Sequence, residues 1–513
     1  MPQRACTALK VVPPDPWAGD AQKGRDMIAG IFRFAGQAIE KNELSWLPEK
    51  ARPEWVAELH GFEWLRDLRS VGGDKARRMA REMVGNWLEV YEKPCPVAWA
   101  ADVAGTRICS WISFHDFFCA SADDEFRRQY FASLQKQGRY LAKMLPGELF
   151  GIPLMKALKG LAYSGIALED GEGRTERAFR IILQQLREQI LPDGSHISRN
   201  PQATFEVLQC LVDLRTALTA ARLEMPEELQ HAIDRLAPAV KFFRHGDGAF
   251  CQFNGAQEGN PNICDATLMH SGAKGRAMKS LPHSGYEKIQ MGRASAIMDV
   301  GLPLSAKYGE RIHAGLLGFE YSYGKDRVFV NCGSSEFSGI WRNLLRATAA
   351  HSTLVVDNRN SCQFNASGAM INQPDVRCRR QEDDDIAAIE ASHGGYMPRF
   401  GLTHRRCLRL YDGGDVLLGE DTLTGKSGVP FAVRFHLHPT IQASIVGDGE
   451  TVLLRARSGL GWNFTAAGAR LEIEESIYAG QGTEPRQTLQ IALHGMTSSQ
   501  ATHITWGLRR EKI

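Results

Sequence analysis

From residue 21 to about 245 the apolar residues recur at helical spacing. Met27 to Ile39 sets Ile28, Ile31, Phe32, Ala35 and Ile39 on one face, which predicts a single amphipathic helix. Phe62–Leu68 and Ala76–Tyr91 follow as a helix pair, broken at Gly72-Gly73. Ile108–Phe118 is apolar on nearly every side, the mark of an inner-layer helix. Helical stretches continue over Asp123–Leu145, Leu149–Leu168, Arg174–Leu191, Pro201–Leu223 and Pro226–Phe243, separated by turn-forming Gly, Pro and Asp clusters. No fixed-period repeat links them, so successive antiparallel helix pairs fit better than a repeat solenoid. Curling such pairs gives an incomplete α/α toroid.

The character changes between residues 245 and 285. HGDGAFCQFNGAQEGNPNICDA, rich in Gly, Asn and Asp, predicts a long loop. Beyond Tyr286 short β-branched and alternating runs take over, among them Val328–Val330, Leu354–Val356, 408–421, 431–438, 451–458, 469–479 and 489–496. Many short strands with Gly and Asp turns predict an antiparallel β-sandwich. Helices first and strands second predict a multidomain α+β chain: an arm over 1–20, a toroid over 21–280 and a sandwich over 281–513.

Composition narrows the class. With 43% hydrophobic and 23% charged residues the 513-residue chain reads as soluble and globular. A net charge of +2 implies no nucleic-acid partner. Eleven scattered cysteines include no CxxC pair, so a zinc ribbon is not expected, and free thiols in a reducing compartment are. The N-terminus shows no signal-peptide core and no run reaches the length of a membrane span, which on sequence alone points to the cytoplasm. Oligomeric state is not legible.

The stretch WRNLLRATAAHSTLVVD, Trp341 to Asp357, concentrates candidate chemistry. Arg342 and Arg346 are four residues apart, and His351 stands at the mouth of a strand. A packed imidazole is one account of His351. The other is proton transfer, because two guanidiniums would depress its basicity and hold an anion beside it. In the loop LPDGSHISRNPQ, Asn200 before Pro201 reads as a helix N-cap whose amide can also donate to a carboxylate, alongside His196 and Arg199. HGDGAF lacks the lysine and the βα setting of a phosphate loop. His393, Tyr396 and His404 sit at strand ends near Arg399. A histidine such as His404 can ligate a metal, but one ligand is no site. His436 and His438 alternate on a strand and share a face, read as solvated rather than metal-binding. The acids at 169–172 and 382–385 look like turns, not two carboxyls held across a cleft as glycoside hydrolysis needs.

A helical toroid joined to a sandwich carrying ATAAHSTLVVD resembles the heparinase II/III-like polysaccharide lyases. HAGLLGFEYSYGKDRVFVNCG (313–333) and DGSHISRNPQ strengthen the likeness, which covers nearly the whole chain and looks most like the uncharacterised bacterial members. The resemblance implies β-elimination at a uronic acid, with an acidic polysaccharide as partner and no cofactor needed for the chemistry. It implies that Asn200 neutralises the substrate carboxylate and that His351 acts as base or assists. Trp341, Arg342, Arg346, Tyr396, His196 and Arg199 would meet the polyanion. It also implies a periplasmic or envelope location, and a structural zinc or other divalent metal near His404. One departure stands out: the family's catalytic tyrosine is missing from HGDGAFCQFNG, where Phe250 and Phe253 cannot transfer a proton. Tyr286, just downstream at the opening of the first sandwich strand, is the nearest substitute, and Tyr321, Tyr323 and Tyr396 are the others. A non-catalytic glycan-binding or assembly protein is the alternative, and a glycoside hydrolase the third.

Overall fold

The computed structural model describes residues 6–511 except 41–44, 277, 336–338, 366–367, 372, 448 and 482–484. The chain forms two compact units. One comprises Met1–Gln189, Glu206–Asp234 and Ala266–Ala273; the other comprises Ile190–Phe205, Arg235–Asp265 and Lys274–Ile513.

The first unit is helical. Its central crossing joins Ala101–Ser113 to Gly151–Ala167 through two glycines: a Cβ on Gly160 would lie 2.3 Å from the Gly105 Cα. Only residues without side chains let two helix backbones approach so closely. Arg107, on the same helix, is fully buried, and among the described residues no carboxylate pairs with it. Its guanidinium lies 4.0 Å over the Trp87 ring and donates to Gln137 Oε1 and to the His60 and Ala98 carbonyls. Burial pushes its pKa down to about 9.

Three elements differ from the sequence expectation. Met27–Ile39 is not one helix: Ala21–Ile28 is helical, and Ile31–Phe34 and Gln37–Glu40 form a hairpin. Ala35 and Gly36 both have positive φ, 43° and 70°, so they turn the chain in the sense hairpins favour, and Phe32 and Phe34 alternate inward. The expected inner helix over Ile108–Phe118 breaks at Phe114, between Ala101–Ser113 and His115–Cys119. The expected long loop after residue 245 contains a helix, Pro261–Ser271, whose N-cap Asn260 accepts the Asn262 and Ile263 N–H groups.

Among the described residues the second unit holds two large antiparallel sheets and a small two-stranded one, Gln363–Phe364 with Met370–Ile371. The eight-stranded sheet runs Val376–Glu382, Ala387–His393, Leu402–Tyr411, Val416–Gly425, Thr502–Arg510, Gly461–Ala467, Thr451–Ala456 and Ile441–Val446. The nine-stranded sheet runs Arg470–Tyr478, Arg486–Met496, Pro430–Leu437, Asp326–Val330, Phe319–Tyr323, Ala294–Asp299, Tyr286–Met291 and Ser280–Leu281, with Leu354–Val356 also paired to Pro430–Leu437. The inner faces share one apolar core, in which Trp506 of the first sheet meets Phe435 and Phe319 of the second at 4.7 and 5.6 Å between ring centroids. No helix among the described residues is long and apolar enough to cross a membrane.

Within this core Arg406 and Asp421 are both fully buried. Arg406 grips the carboxylate through Nε and Nη2, at 2.8 and 3.0 Å, and donates to the Leu317 and Ser352 carbonyls. Removing the anion would strand a buried cation. Asp421→Asn is therefore expected to cost about 3–5 kcal/mol, read as a lowered urea midpoint with an unchanged slope.

Candidate active site

Asp193 and Gly194 shape the loop that delivers Asn200. Gly194 has φ 79°, and a Cβ there would sit 2.0 Å from the Arg235 carbonyl oxygen. Asp193 fixes the loop to the start of the sandwich by accepting the His283 and Ser284 N–H groups, each at 2.9 Å. Asn200 caps the helix Pro201–Ala220: its Oδ1 accepts the Ala203 N–H at 3.0 Å. Its Nδ2 donates to the Asn254 carbonyl at 2.9 Å. A primary amide carries two N–H donors, and among the described residues only this one is used.

Asn254 gathers the next shell. It adopts a left-handed conformation, φ 48°, which asparagine tolerates better than most residues. Its Oδ1 accepts the His313 N–H at 3.1 Å and its Nδ2 donates to the Tyr286 hydroxyl at 2.7 Å. Gly255 follows with φ 81°. A Cβ on Gly255 would lie 3.6 Å from Asn200 Nδ2, 3.8 Å from His313 Nε2 and 3.4 Å from the Arg311 carbonyl oxygen. The missing side chain leaves a cradle between an amide donor and an imidazole nitrogen.

The imidazole belongs to a pair. His351 Nδ1 lies 2.8 Å from the Ala347 carbonyl, which can only accept, so Nδ1 carries the proton. His351 Nε2 is then a lone pair, and His313 Nδ1, 3.1 Å away, donates to it. That tautomer leaves His313 Nε2 as a bare lone pair facing the cradle. Burial pushes the His351 pKa down to about 4. Burial, then the neighbouring His351 and Arg346, hold His313 well below its usual value. Gly315 lets the rings approach: a Cβ there would be 2.6 Å from His351 Cδ2.

Residues 25–271 match the heparinase II/III N-terminus and residues 273–507 the heparinase II/III-like C-terminal domain. FtsZ-localized protein C of Caulobacter vibrioides (strain NA1000 / CB15N) is 31% identical over 525 residues, spanning 98% of this chain and 90% of that protein. The chain belongs to the heparinase II/III-like family. Its fold, an α/α toroid with an antiparallel sandwich, matches the crystal structure of heparinase III with a TM-score of 0.75 at 15% identity, over 99% of this chain and 87% of that one. A heparan sulfate lyase HepC mutant from Pedobacter heparinus aligns with a TM-score of 0.67 at 13% identity, over 96% of this chain and 83% of that one.

As a heparinase II/III-like chain it brings together only part of the expected residue set. Asn200 stands at the cradle and His351 one imidazole behind it. Arg199 and Tyr286 lock the wall instead of lining it. The Arg199 guanidinium is ion-paired to Asp299, donates to the Ser284 carbonyl at 2.6 Å and lies 4.8 Å over the Tyr286 ring. The Tyr286 hydroxyl accepts from Asn254 and donates to the Arg199 carbonyl at 2.7 Å, and the residue is fully buried. Burial also raises its pKa well above the usual phenol value. It is therefore no open substitute for the family tyrosine.

The remaining expectations are corrected by burial and hydrogen bonding. Arg346 does not hold an anion beside His351: its guanidinium donates to the Ile312, Gly309 and Gly368 carbonyls and stacks 4.3 Å over Phe364. His351 loses basicity to burial, not to two arginines. Arg342 is exposed, and Trp341 is half-buried against the cluster of Cys332, Leu345, Ala350 and Ala479. His196 is buried, with Nδ1 2.7 Å from the Ser198 hydroxyl. Tyr396 is buried and donates to the Leu354 carbonyl at 2.9 Å. His436 and His438 are not on a solvated face; both are buried, and His436 bridges the Ser476 hydroxyl and the Ala349 carbonyl.

Both ring nitrogens of His404, the expected metal ligand, are engaged by protein groups. Its Nε2 donates to Asp421 at 2.7 Å, so its Nδ1 accepts from His393 Nε2 at 3.2 Å, and His393 Nδ1 accepts the Gly395 N–H. Among the described residues, Glu472, Glu474 and His494 have ligand atoms within 4.8 Å of one another, but Arg470 and Arg434 already pair with the two acids. No cofactor is evident.

Sequence reasoning missed His313, Asn254 and Gly255. His313 opened a segment quoted for its family likeness, and Asn254-Gly255 is a turn dipeptide. Neither carried a signal of contact with residues dozens of positions away.

Three buried histidines, His196, His351 and His436, have pKa values pushed down to about 3, 4 and 3 by burial first. Unfolded, each titrates near 6.5, so below that pH the unfolded chain binds more protons. Their stabilisation is complete above pH 6.5 and is lost as pH falls toward the folded values. Unfolding free energy is expected to drop by up to about 1.4 kcal/mol per pH unit for each histidine. Urea titrations between pH 7 and pH 5 measure the slope; a flat profile would contradict burial in the neutral form.

Proposed function

We propose that this chain is a polysaccharide lyase that cleaves a uronate-containing glycan by β-elimination at the Gly255 cradle. The observation that carries this reading is the approach of the Asn200 amide and the His313 Nε2 lone pair to one unfilled position. The remaining Asn200 N–H meets the uronate carboxylate, where negative charge grows as the C5 proton leaves. His313 Nε2 takes that proton, a C4–C5 double bond forms, and the C4–O4 bond breaks. The imidazolium so formed returns its proton to the departing O4, so one group serves as base and then acid. His351 accepts the His313 Nδ1–H throughout and keeps Nε2 turned to the sugar. Because both rings are held neutral, the lone pair is present at physiological pH. The substrate in this reading is an oligosaccharide taken into the cell or an acidic polymer of the producer's envelope.

A second reading has its own support. The Tyr286 hydroxyl is locked, and the Caulobacter relative is named for its location with FtsZ. A glycan-binding or envelope-polysaccharide assembly protein that retained the cradle without turnover would fit both facts.

Incubation with heparan, alginate, hyaluronan and bacterial uronate polymers separates the two. The lyase releases unsaturated uronate, seen as new ultraviolet absorbance. His313→Ala is expected to lower the rate by about 10²–10⁴-fold, and Asn200→Ala by about 10²–10³-fold. Tyr286→Phe, which leaves the Asn254 amide and the Arg199 carbonyl short of a partner, should lower stability more than the rate per folded molecule. Binding without chain cleavage by the wild type would decide for the second reading, and full activity in His313→Ala would remove the proposed base.

A further inference from the structure

The helical unit contains a cavity of about 530 Å³, within the size range of small-ligand sites. Arg69, from the helix Leu65–Val71, and Arg77, from Gly73–Val90, face it. Phe114 and Phe117, at the break between Ala101–Ser113 and His115–Cys119, supply an aromatic wall. Val12 and Pro14 of the N-terminal arm line it as well. The arm is pinned there: Asp15 receives two Arg66 hydrogen bonds, at 3.0 and 2.6 Å, and the Trp17 indole donates to Asp213 at 2.8 Å. The wall is thus built into the folded chain.

The positive charges lining the cavity are only weakly compensated. Arg69 lies 5.6 Å over the Phe114 ring, and among the described residues no carboxylate pairs with it. Arg77 meets Asp74 at 3.9 Å, a pair so exposed that it contributes little. Arg81 donates to the Ser121 hydroxyl at 2.5 Å and to the Phe118 carbonyl, which turns Ser121 into the cavity lining with its lone pairs partly used. One acid, Asp116, is also present.

We infer that this cavity is a second saccharide site, one that takes a uronate residue apart from any chemistry at Gly255. Two guanidiniums can hold a carboxylate. The aromatic wall suits the C–H face of a pyranose ring. Asp116 and Ser121 accept and donate to ring hydroxyls, and the acid also opposes a compact dianion such as phosphate. The inference rests on the reading that the chain handles uronate glycans. It names a retention site for the same polymer.

The test is calorimetric titration of the full chain with alginate and hyaluronan tetrasaccharides, and with inorganic phosphate as a control. Two variants are compared: Arg69→Gln/Arg77→Gln, and Asn200→Ala/His313→Ala. The arginines are exposed, so the first variant should melt like the wild type. Wild type is expected to bind tetrasaccharide, the arginine variant to lose about tenfold or more in affinity, and the Asn200/His313 variant to keep that binding class. Equal binding by the arginine variant, no tetrasaccharide binding by any form, or equal binding of phosphate would each overturn the site. Ultraviolet detection of cleavage separates the two ideas. Cleavage with no effect of the arginine pair sinks this site alone. Arginine-dependent binding with no cleavage sinks the lyase reading and leaves this site standing.

Discussion

One asparagine, through its side chain and its backbone carbonyl, holds the candidate site together. Asn254 donates to Tyr286, accepts from the backbone of His313 and offers its own carbonyl to Asn200. Each link is an ordinary hydrogen bond, worth about 1 kcal/mol net, yet leaving any of these buried groups unpaired costs more than the bond supplies. The joint therefore tolerates few alternatives. Arg199 and Asp299 reinforce it from behind: the Asp299 carboxylate also accepts the Gly301 N–H, and burial holds its pKa above the usual carboxylate value even with the guanidinium beside it. What look like separate candidate residues in the sequence are one interlocked wall, with Gly255 as an unfilled corner at the imidazole.

Several pieces were legible because they depend on local rules. The N-cap at Asn200-Pro201, the turn at Asp193-Gly194 and the strands of the sandwich follow from short-range backbone preferences and period-two patterning. The same Asn-Pro signal at Asn260-Pro261 starts a helix inside a stretch whose Gly and Asn content masks it. The hairpin after Ile28 was hidden for a related reason. Its apolar residues fit a helical face as well as a strand, and only the positive φ values at Ala35 and Gly36 settle the matter. The candidate site was legible at Asn200 and His351 but not at His313. No local pattern reports that a histidine 38 residues away in sequence accepts or donates to another.

Arginines were misread for a physical reason. Next to a histidine, a guanidinium suggests an anion-binding pair. Arg346 instead spends its donors on three backbone carbonyls, and its reach to His313 is electrostatic. A planar fork with five donors is as useful for closing loops as for gripping substrates. Sequence does not distinguish the two uses, because both place arginine at loop ends. Burial and the count of satisfied donors do.

Among its described residues the second unit contains two histidine relays, and their difference argues which one can work on a ligand. In each, a neutral imidazole donates to the next and the last donates to an oxygen: Ala347 in one, Asp421 in the other. The relay through His393 and His404 is closed at its head by the Gly395 N–H and at its tail by a carboxylate already held by Arg406 and Trp506. Nothing in it can accept a proton without breaking a bond that burial makes expensive. The relay through His351 and His313 ends instead on an Nε2 that no protein group among the described residues meets. Protonating it adds charge at the cradle, next to the one N–H that Asn200 has left for a carboxylate. A carbonyl at the tail orients without neutralising, so the imidazolium stays a strong acid and gives the proton back readily. An anion at the tail would have stabilised that cation and slowed its return.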